Sequence, residues 1–236
     1  MASCYQLLSA LALTSIWACA NASGCFGSWG SGYASPARKS LTPIPSSNVR
    51  IKKLRVLARR DDVDLWAIDE VHFQQHGSRC RMWIPPEVKD PVLLHHPTRK
   101  SVKYFGAVRL RDGKFVYRRE EGSFDGSTFH GFLEHLWKVA RRGRTHSVVI
   151  ADNAKYHHAK LHKDWRDTHA GRFRLNFLPP YSPELNPIER VWKLTRRRRL
   201  HNQYFAGLSS VADSVESLFA EWEHGSNSLR RLCAII

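Results

Sequence analysis

The spacing of hydrophobic and polar positions changes several times after Arg50, and each change predicts a strand or a helix. Alternating or continuous apolar runs predict strands in VDLWAID, CRMWIP, VKYFGAVRL, KFVYRRE, HSVVIAD and FRLNFLP. Apolar residues three and four apart predict helices in GSTFHGFLEHLWKVARRG, HAKLHKDWRDTH, NPIERVWKLTRRRR and SSVADSVESLFAEW. Strands come first as a meander and then alternate with helices, which is typical of an α/β fold with a mixed sheet covered by helices. The tryptophans within these runs are expected in the core: Trp66, Trp83, Trp137 and Trp192.

The N-terminal part of the chain has a different character. Residues 1–37 contain no charged side chain, and an apolar run there is followed by a Gly/Ser-rich stretch. No positive charge precedes the run, which argues against a signal peptide, and the run is shorter than a membrane span. We therefore expect residues 1–48 to be a poorly ordered segment or a truncated or fused leader, and residues 49–236 to form the folded domain. This interpretation places the protein in the cytoplasm, without a membrane partner.

The charge balance points to a polyanionic partner. Lys and Arg number 37 against 21 acids, which gives a formal net charge of +16. Nucleic acid is the first candidate for the partner and an anionic membrane surface the second, while solubility alone is the alternative. The five cysteines form no C-x-x-C pair and predict neither a disulfide framework nor a zinc site.

Two aspartates interrupt apolar patterns in the predicted strands. Every second position from Val63 to Phe73 is apolar except Asp69, and a carboxylate on a buried face is costly unless it is paired or bound to metal. Glu70 belongs to the other face of this strand. Asp152 and Asn153 end the run SVVIAD, where ligands gather beyond the carboxyl ends of strands in open α/β sheets. The alternative is that both aspartates are ordinary turn residues.

The stretch FLPPYSPELNPIERVW predicts a stiff approach to a helix start. Asn186 would be the N-cap, Pro187 the first helical residue and Glu189 the third, where a glutamate also serves as a capping-box partner. The prolines restrict the backbone ahead of the first turn and would place Glu189 reproducibly against the neighbouring strands. On this pattern Glu189 is a cap, a ligand or both.

Three carboxylates from separate elements, in a very basic protein, are typical of metal-dependent phosphodiester chemistry. Mg²⁺ prefers hard oxygen ligands and keeps several waters, so a few carboxylates and substrate phosphate oxygens satisfy it. Two such ions, roughly 4 Å apart, activate the attacking oxygen and stabilise the leaving one. Without cations the acids would raise one another's pKa.

Three stretches, AIDEVHF, VVIADNAKYHHAK and LNFLPPYSPELNPIERVWKLTRRRRLHN, resemble the catalytic blocks of DDE transposases. The resemblance is to the mariner-like superfamily, and within it to the bacterial insertion-sequence type. The 36 residues between Asp152 and Glu189 are close to the spacing in that superfamily. The resemblance covers residues 50 to 222 and implies a ribonuclease H-like fold, as in retroviral integrases. It also implies DNA strand cleavage followed by transfer of the freed 3′-OH to target DNA.

When the roles of the family's three acids are carried over by position, the resemblance implies that the catalytic residues and the ligands of two Mg²⁺ or Mn²⁺ ions are Asp69, Asp152 and Glu189. Candidates for a supporting role beside these ligands are Glu70, Asn153, His158 and Asn186.

The resemblance also bears on the partners. Transposases of this type usually carry helix-turn-helix domains ahead of the first catalytic acid, but no basic helix pair is recognisable in the 68 residues before Asp69. We therefore expect a separate chain to supply that domain. The expected DNA partners are the element ends and the target, with at least two copies of the chain acting together on paired ends.

Arginine runs close two of the predicted helices, and we expect them to contact DNA phosphates. The alternative is a favourable interaction of the cations with the helix C-terminus. The residues concerned are Arg141, Arg142, Arg144, Arg196, Arg197, Arg198 and Arg199.

Two other functions compete with the transposase interpretation. His158 and His162 are four residues apart on a predicted helix, a spacing compatible with zinc in a hydrolase. The chain could also be a catalytically silent DNA-binding remnant of a transposase. The presence of all three acids argues against the remnant.

Overall fold

The computed structural model describes residues 45–81, 83–87, 92, 94, 97–142, 145–180 and 182–234. The predictions made for residues 1–44 and for Arg144 lie outside these residues. The domain boundary between residues 48 and 49 stays a prediction.

The chain forms five strands and six α-helices in the described ranges. In chain order they are α1 (Pro45–Ala58), β1 (Val63–Gln74), β2 (Ser101–Arg109), β3 (Phe115–Glu120), α2 (Gly126–Ala140), β4 (His146–Ala151), α3 (Lys163–His169), β5 (Phe173–Phe177), α4 (Ile188–Thr195), α5 (Leu208–Ala220) and α6 (Asn227–Leu232). Short 3₁₀ turns lie at Lys155–His158, Lys160–His162 and Pro183–Leu185, and a π-helical turn at Arg196–Leu200 follows α4.

The strands form one mixed sheet in the order β3-β2-β1-β4-β5. The first three strands are antiparallel neighbours. Strand β4 pairs with β1 in parallel, and β5 pairs with β4 in parallel. This arrangement confirms the α/β fold with a mixed sheet. A short turn at residues 110–114 connects β2 to β3, whereas residues 75–100 connect β1 to β2, and the parallel strands need the helical crossovers that follow.

Both faces of the sheet are covered. Trp66 and Ile68 of β1 pack with the apolar face of α2, whereas Leu65 and Phe73 belong to the cluster formed with α4 and α5. Alternate side chains of a strand point to opposite faces, so the central strand β1 contributes to two cores. Both faces of this strand are buried over its first six residues, while His72 and Gln74 near its end are exposed.

The parallel pairing of β1 with β4 sets the position of the predicted aspartates. The register pairs Val63 with His146 and Ala67 with Ile150. Asp69 lies two residues beyond Ala67 in β1, and Asp152 lies two residues beyond Ile150, directly after β4, so both are at the same end of the sheet.

One predicted strand is wrong. The described residues of CRMWIP, at 80, 81 and 83–85, have irregular backbone, and Trp83 is 89% exposed instead of lying in the core. Two prolines follow at 85 and 86, where the missing N–H groups disfavour pairing in a sheet. The core prediction is confirmed for Trp66 and Trp192. No helix within the described ranges is long and apolar enough to cross a membrane.

Candidate active site

Asp69 lies in the central strand and faces α4. Its backbone is level with Gly106 of β2, and the indole Nε1 of Trp192 donates a hydrogen bond to its Oδ2 over 3.0 Å. The alternate neighbours Ala67 and Val71 pack in the same apolar cluster as Trp192. The strand period therefore directs the Asp69 carboxylate into an otherwise apolar face, where it meets one specific donor.

The surroundings of Asp69 oppose its ionisation. Burial, together with the negative charges of Glu70 and Glu189, raises the pKa of Asp69 to about 8, although the Trp192 hydrogen bond opposes this rise. A neighbouring negative charge raises the pKa of a carboxyl group strongly only at short range. The first and third predicted acids therefore interact electrostatically, and a bound cation would favour the charged form of Asp69.

Asp152 follows the last residue of β4 and has a different environment. Its Oδ1 accepts a hydrogen bond from the backbone N–H of Ala154 over 3.2 Å and lies 2.9 Å from Nδ1 of His157. The His157 hydrogen bond lowers the pKa of Asp152, and the charge on the imidazole and the Ala154 N–H act in the same direction against burial. Asp152 is therefore ionised at neutral pH.

His157 joins Asp152 to Glu70. Its Nε2 lies 2.9 Å from Oε1 of Glu70, and its side chain is 1% exposed. Burial acts to lower the pKa of His157, but the hydrogen bonds with Asp152 and Glu70 outweigh it and raise the pKa to about 9. Burial and the charge on Glu70 raise the pKa of the neighbouring Tyr156, so its hydroxyl stays protonated at neutral pH.

Sequence reasoning missed His157 and chose the adjacent His158. His158 is exposed, and its Nε2 contacts Oδ1 of Asn153, while its ring lies 4.2 Å from that of Phe177. Two adjacent histidines leave the sequence no way to select one of them. The 3₁₀ turn at Lys155–His158 decides which histidine returns to Asp152, and local spacing did not reveal that turn.

The start of α4 is fixed to β1 by Asn186. This side chain is buried, and its Nδ2 donates to the carbonyl of Ile68, one residue before Asp69, over 2.9 Å. The prediction that Asn186 caps the helix is wrong, because the cap position falls on Pro187 and no side chain makes a capping hydrogen bond there. Asn186 instead fixes the distance between β1 and the first turn of α4, which carries Glu189.

The proline-rich stretch forms a wall beside Asp152. A cleft of about 380 Å³ is lined by Asp152, Asn153 and Ala154 on one side and by Leu178, Pro179, Pro180, Ser182 and Pro183 on the other. Leu178 continues the sheet pairing, since its N–H donates to the carbonyl of Ala151. The prolines therefore shape both the approach to α4 and the opening next to the second aspartate.

The predicted phosphate-binding arginines lie at two different ends of the sheet. Arg141 and Arg142 are exposed in the connection to the start of β4, about 20 Å along that strand from Asp152. The run Arg196–Arg199 follows α4 near the end of β1, where the Arg196 guanidinium lies 5.6 Å from the ring of Phe73. Contacts of these arginines with phosphates remain predictions.

Several of these side chains could hold a metal ion. Within the described ranges, Glu70, Asp152 and His157 each bring one ligand atom to within 4.8 Å of the others. Asp69 and Glu189 are outside this group, but both interact electrostatically at the same end of the sheet. The set is rich in carboxylate oxygens, the ligands that Mg²⁺ and Mn²⁺ prefer. Glu70 interacts with both parts of the site, since its charge raises the pKa of Asp69 and its carboxylate contacts His157, which contacts Asp152.

Comparison with known proteins finds relatives of the same type as the catalytic domain that the sequence resembles. The sequence model of a family described as DDE superfamily endonuclease matches residues 64–212. An uncharacterised protein of Sinorhizobium fredii (strain NBRC 101917 / NGR234), y4pE/y4sA, is 39% identical over 91 residues, which are 38% of this chain and 62% of that protein.

Solved structures share the fold. A Mos1 transposase paired-end complex with left transposon end has a TM-score of 0.58 at 15% identity, covering 91% of this chain and 65% of that chain. A Mos1 mariner paired-end complex with Mn also has a TM-score of 0.58, at 16% identity, covering 80% and 56%. The chain spans less than two thirds of the length of each of these relatives. The fold is the ribonuclease H-like one of a transposase catalytic domain, and because the family match covers more than half of the sequence, the chain belongs to the DDE superfamily endonucleases.

Proposed function

We propose that this chain is the catalytic domain of a transposase, which cuts DNA strands at element ends and transfers the freed 3′-OH to target DNA. The observation that carries the proposal is the gathering of Asp69, Glu70, Asp152 and Glu189 at one end of the sheet of a DDE endonuclease. A separate chain with a helix-turn-helix domain, paired copies on DNA and a cytoplasmic location belong to the same proposal.

In this proposal Asp69, Asp152 and Glu189 hold divalent metal ions. Mg²⁺ or Mn²⁺, two per site, would supply polarisation of the phosphodiester and activation of the attacking oxygen. The protein's own part is to orient the carboxylates: Trp192 holds Asp69, and the buried amide of Asn186 ties the helix of Glu189 to β1. Burial and like-charge repulsion raise the pKa of Asp69, and bound cations would offset both by favouring the charged carboxylate.

The basic surface would bind the DNA backbone. Arg196–Arg199 at the end of α4 and Arg141 and Arg142 beyond α2 are the proposed phosphate contacts, which position DNA without reading its sequence. Asn153 lines the cleft at Asp152 and contacts His158, and both are proposed as supporting residues at the mouth of this cleft.

The test is nicking of supercoiled plasmid by the full chain with Mn²⁺, with Mg²⁺ and with EDTA. We expect nicking that requires the metal and disappears in Asp152→Asn and in Glu189→Gln. Asp213→Asn removes an exposed acid of α5 and serves as the matched control, with unchanged nicking. DNA binding without nicking, equal in wild type and variants, would instead identify a catalytically silent DNA-binding remnant.

A further inference from the structure

The His157 ring is enclosed behind the two acids that it contacts. It is 1% exposed, and its centroid lies 4.1 Å from that of Phe129 and 4.5 Å from that of Tyr156. The Phe129 ring is tilted by 34° and the Tyr156 ring by 71°, so the imidazole is held by a near-parallel ring on one side and an edge on the other. Packing of this kind leaves few orientations for the two ring nitrogens.

The backbone of His157 is held as firmly as its ring. Its N–H donates to the carbonyl of Ala154, and its own carbonyl lies 2.7 Å from Nε2 of the buried His162. Arg166 donates to the same carbonyl over 3.3 Å. His162 and Arg166 therefore hold the 3₁₀ turn through the backbone of His157 and not through the acids.

Each ring nitrogen contacts a different carboxylate. Nδ1 lies 2.9 Å from Oδ1 of Asp152, five residues earlier, and Nε2 lies 2.9 Å from Oε1 of Glu70 in the neighbouring strand. The backbone N–H of Ala154 also contacts Oδ1. Both contacts that orient Asp152 thus use one oxygen, and Oδ2 is the oxygen left to serve as a metal ligand.

We propose that His157 is a positioning residue for Asp152, with Glu70 as the anchor that fixes the far side of its ring. The proposal rests on the proposed metal-dependent function. A ligating carboxylate that turns freely loses affinity and geometry for its ion, and hydrogen bonds behind a ligand prevent this. The bridge also joins β1 to the end of β4, so it sets the position of Asp152 relative to the strand that carries Asp69.

The rival role for His157 is that of a metal ligand. The two ring nitrogens already lie within 2.9 Å of carboxylate oxygens, and the ring is closed off from solvent. A metal ion at His157 would have to break one of these contacts and enter behind the carboxylates. The geometry therefore favours positioning.

Two substitutions separate the contacts of the ring. His157→Asn places an amide nitrogen near the position of Nδ1 and can keep the contact with Asp152, whereas His157→Gln reaches the position of Nε2 and keeps only the contact with Glu70. We expect His157→Gln to lose about 10- to 100-fold in Mn²⁺ affinity and in single-turnover nicking rate, the range for residues that support metal ligands. His157→Asn should lose clearly less, and the Kd for DNA should stay unchanged in both.

Mn²⁺ affinity is measured on the full chain by electron paramagnetic resonance, in parallel with nicking, and circular dichroism and thermal melting confirm folding. If His157→Gln does not fold, Glu70→Gln, which keeps an acceptor for Nε2 but removes the charge, gives a second reading, with an intermediate loss in Mn²⁺ affinity expected.

The outcomes are distinguishable. Equal partial losses of Mn²⁺ affinity in His157→Asn and His157→Gln would overturn the positioning role, as would a slower nicking rate without any change in Mn²⁺ affinity. Complete loss of Mn²⁺ binding in both variants would indicate that His157 is a metal ligand. If the wild type binds Mn²⁺ but does not nick DNA, the proposed function fails, while the order of Mn²⁺ affinities still decides the role of His157. A wild type that binds no Mn²⁺ refutes both proposals.

Discussion

The Trp192 indole donates its Nε1 hydrogen bond to Oδ2 of Asp69 from the same helix that carries Glu189, three residues earlier. The indole is 1% exposed and makes edge contacts with the rings of Phe73 and Phe115. One helix thus presents both a carboxylate and the donor that fixes the carboxylate of the neighbouring strand. Any shift of α4 would move both together.

Replacing Trp192 by Phe should reduce metal-dependent nicking more than it reduces the stability of the fold. The substitution removes the donor to Asp69 but keeps an aromatic ring. Because the raised pKa keeps Asp69 protonated at neutral pH without metal, we expect a stability loss of about 1 kcal/mol, the range for a hydrogen bond between neutral groups. Metal-dependent nicking should fall by about 10-fold or more, as for other residues that support metal ligands. Urea unfolding and single-turnover nicking measure the two effects.

The matched control is Trp222→Phe, since Trp222 is buried in the same cluster and packs on Phe115. It should reduce stability while nicking by the folded protein stays at the wild-type rate. If both variants lose activity in proportion to stability, the hydrogen bond to Asp69 has no separate role.

Gly106 should tolerate no side chain. It pairs with Asp69, and a Cβ at this position would clash with the Trp192 indole and lie 3.0 Å from Cζ of Phe115. We expect Gly106→Ala to reduce the free energy of unfolding by about 1–3 kcal/mol, as overpacking does in other cores. Nicking should fall as well, because the indole must move away from Asp69.

Gly122→Ala is the control for this prediction, because its Cβ would meet no atom within 4 Å. Urea denaturation of both variants gives the comparison. A Gly106→Ala protein as stable as Gly122→Ala would show that the indole and the strand are not in tight contact.

The fold could be predicted, and two of the three candidate acids could be selected, from patterns that are local in sequence. An acid within alternating apolar positions makes Asp69 a candidate, and an acid after a continuous apolar run makes Asp152 another. Contacts between distant segments could not be predicted. Glu70 meets His157 only because β4 lies parallel to β1 and a 3₁₀ turn follows it. Asn186 matched a cap pattern, but its partner is a carbonyl 118 residues away.

The stability of the metal-free protein should fall as the pH rises. Asp69 has a pKa of about 8 in the folded protein and about 4 in an unfolded chain, so between these values the folded state retains a proton that the unfolded state releases. Its contribution to stability is full below about pH 4 and is lost as the pH rises through about 8, with a slope of at most about 1.4 kcal/mol per pH unit. Asp69→Asn removes this dependence.

The measurement is urea unfolding of wild type and Asp69→Asn between pH 5 and pH 9 in EDTA. We expect the free energy of unfolding of Asp69→Asn to increase steadily relative to that of the wild type as the pH rises. Because His157 and Asp152 titrate in both proteins, the difference isolates Asp69. Mn²⁺ should restore wild-type stability most at high pH, and parallel curves for the two proteins would refute the raised pKa.

The four consecutive arginines after α4 should differ in their contribution to DNA binding. Arg199 pairs with Glu221 at 2.9 Å and Arg196 lies over Phe73, while Arg197 and Arg198 are exposed. Replacing Arg197 and Arg198 together by Ala should weaken binding to every DNA sequence alike, because phosphate contacts carry no sequence information. The slope of log K against log salt should decrease by about 2, one unit for each lost contact.

The control is the double replacement of Arg230 and Arg231 by Ala in α6, which removes the same charge from another exposed position. Fluorescence anisotropy over a series of salt concentrations measures both slopes. If the two pairs change the slope equally, binding responds to net charge alone, and the end of α4 has no defined place on the DNA. A decrease confined to Arg197 and Arg198 would place the phosphate backbone along the end of β1, beside the acids that are proposed to cut it.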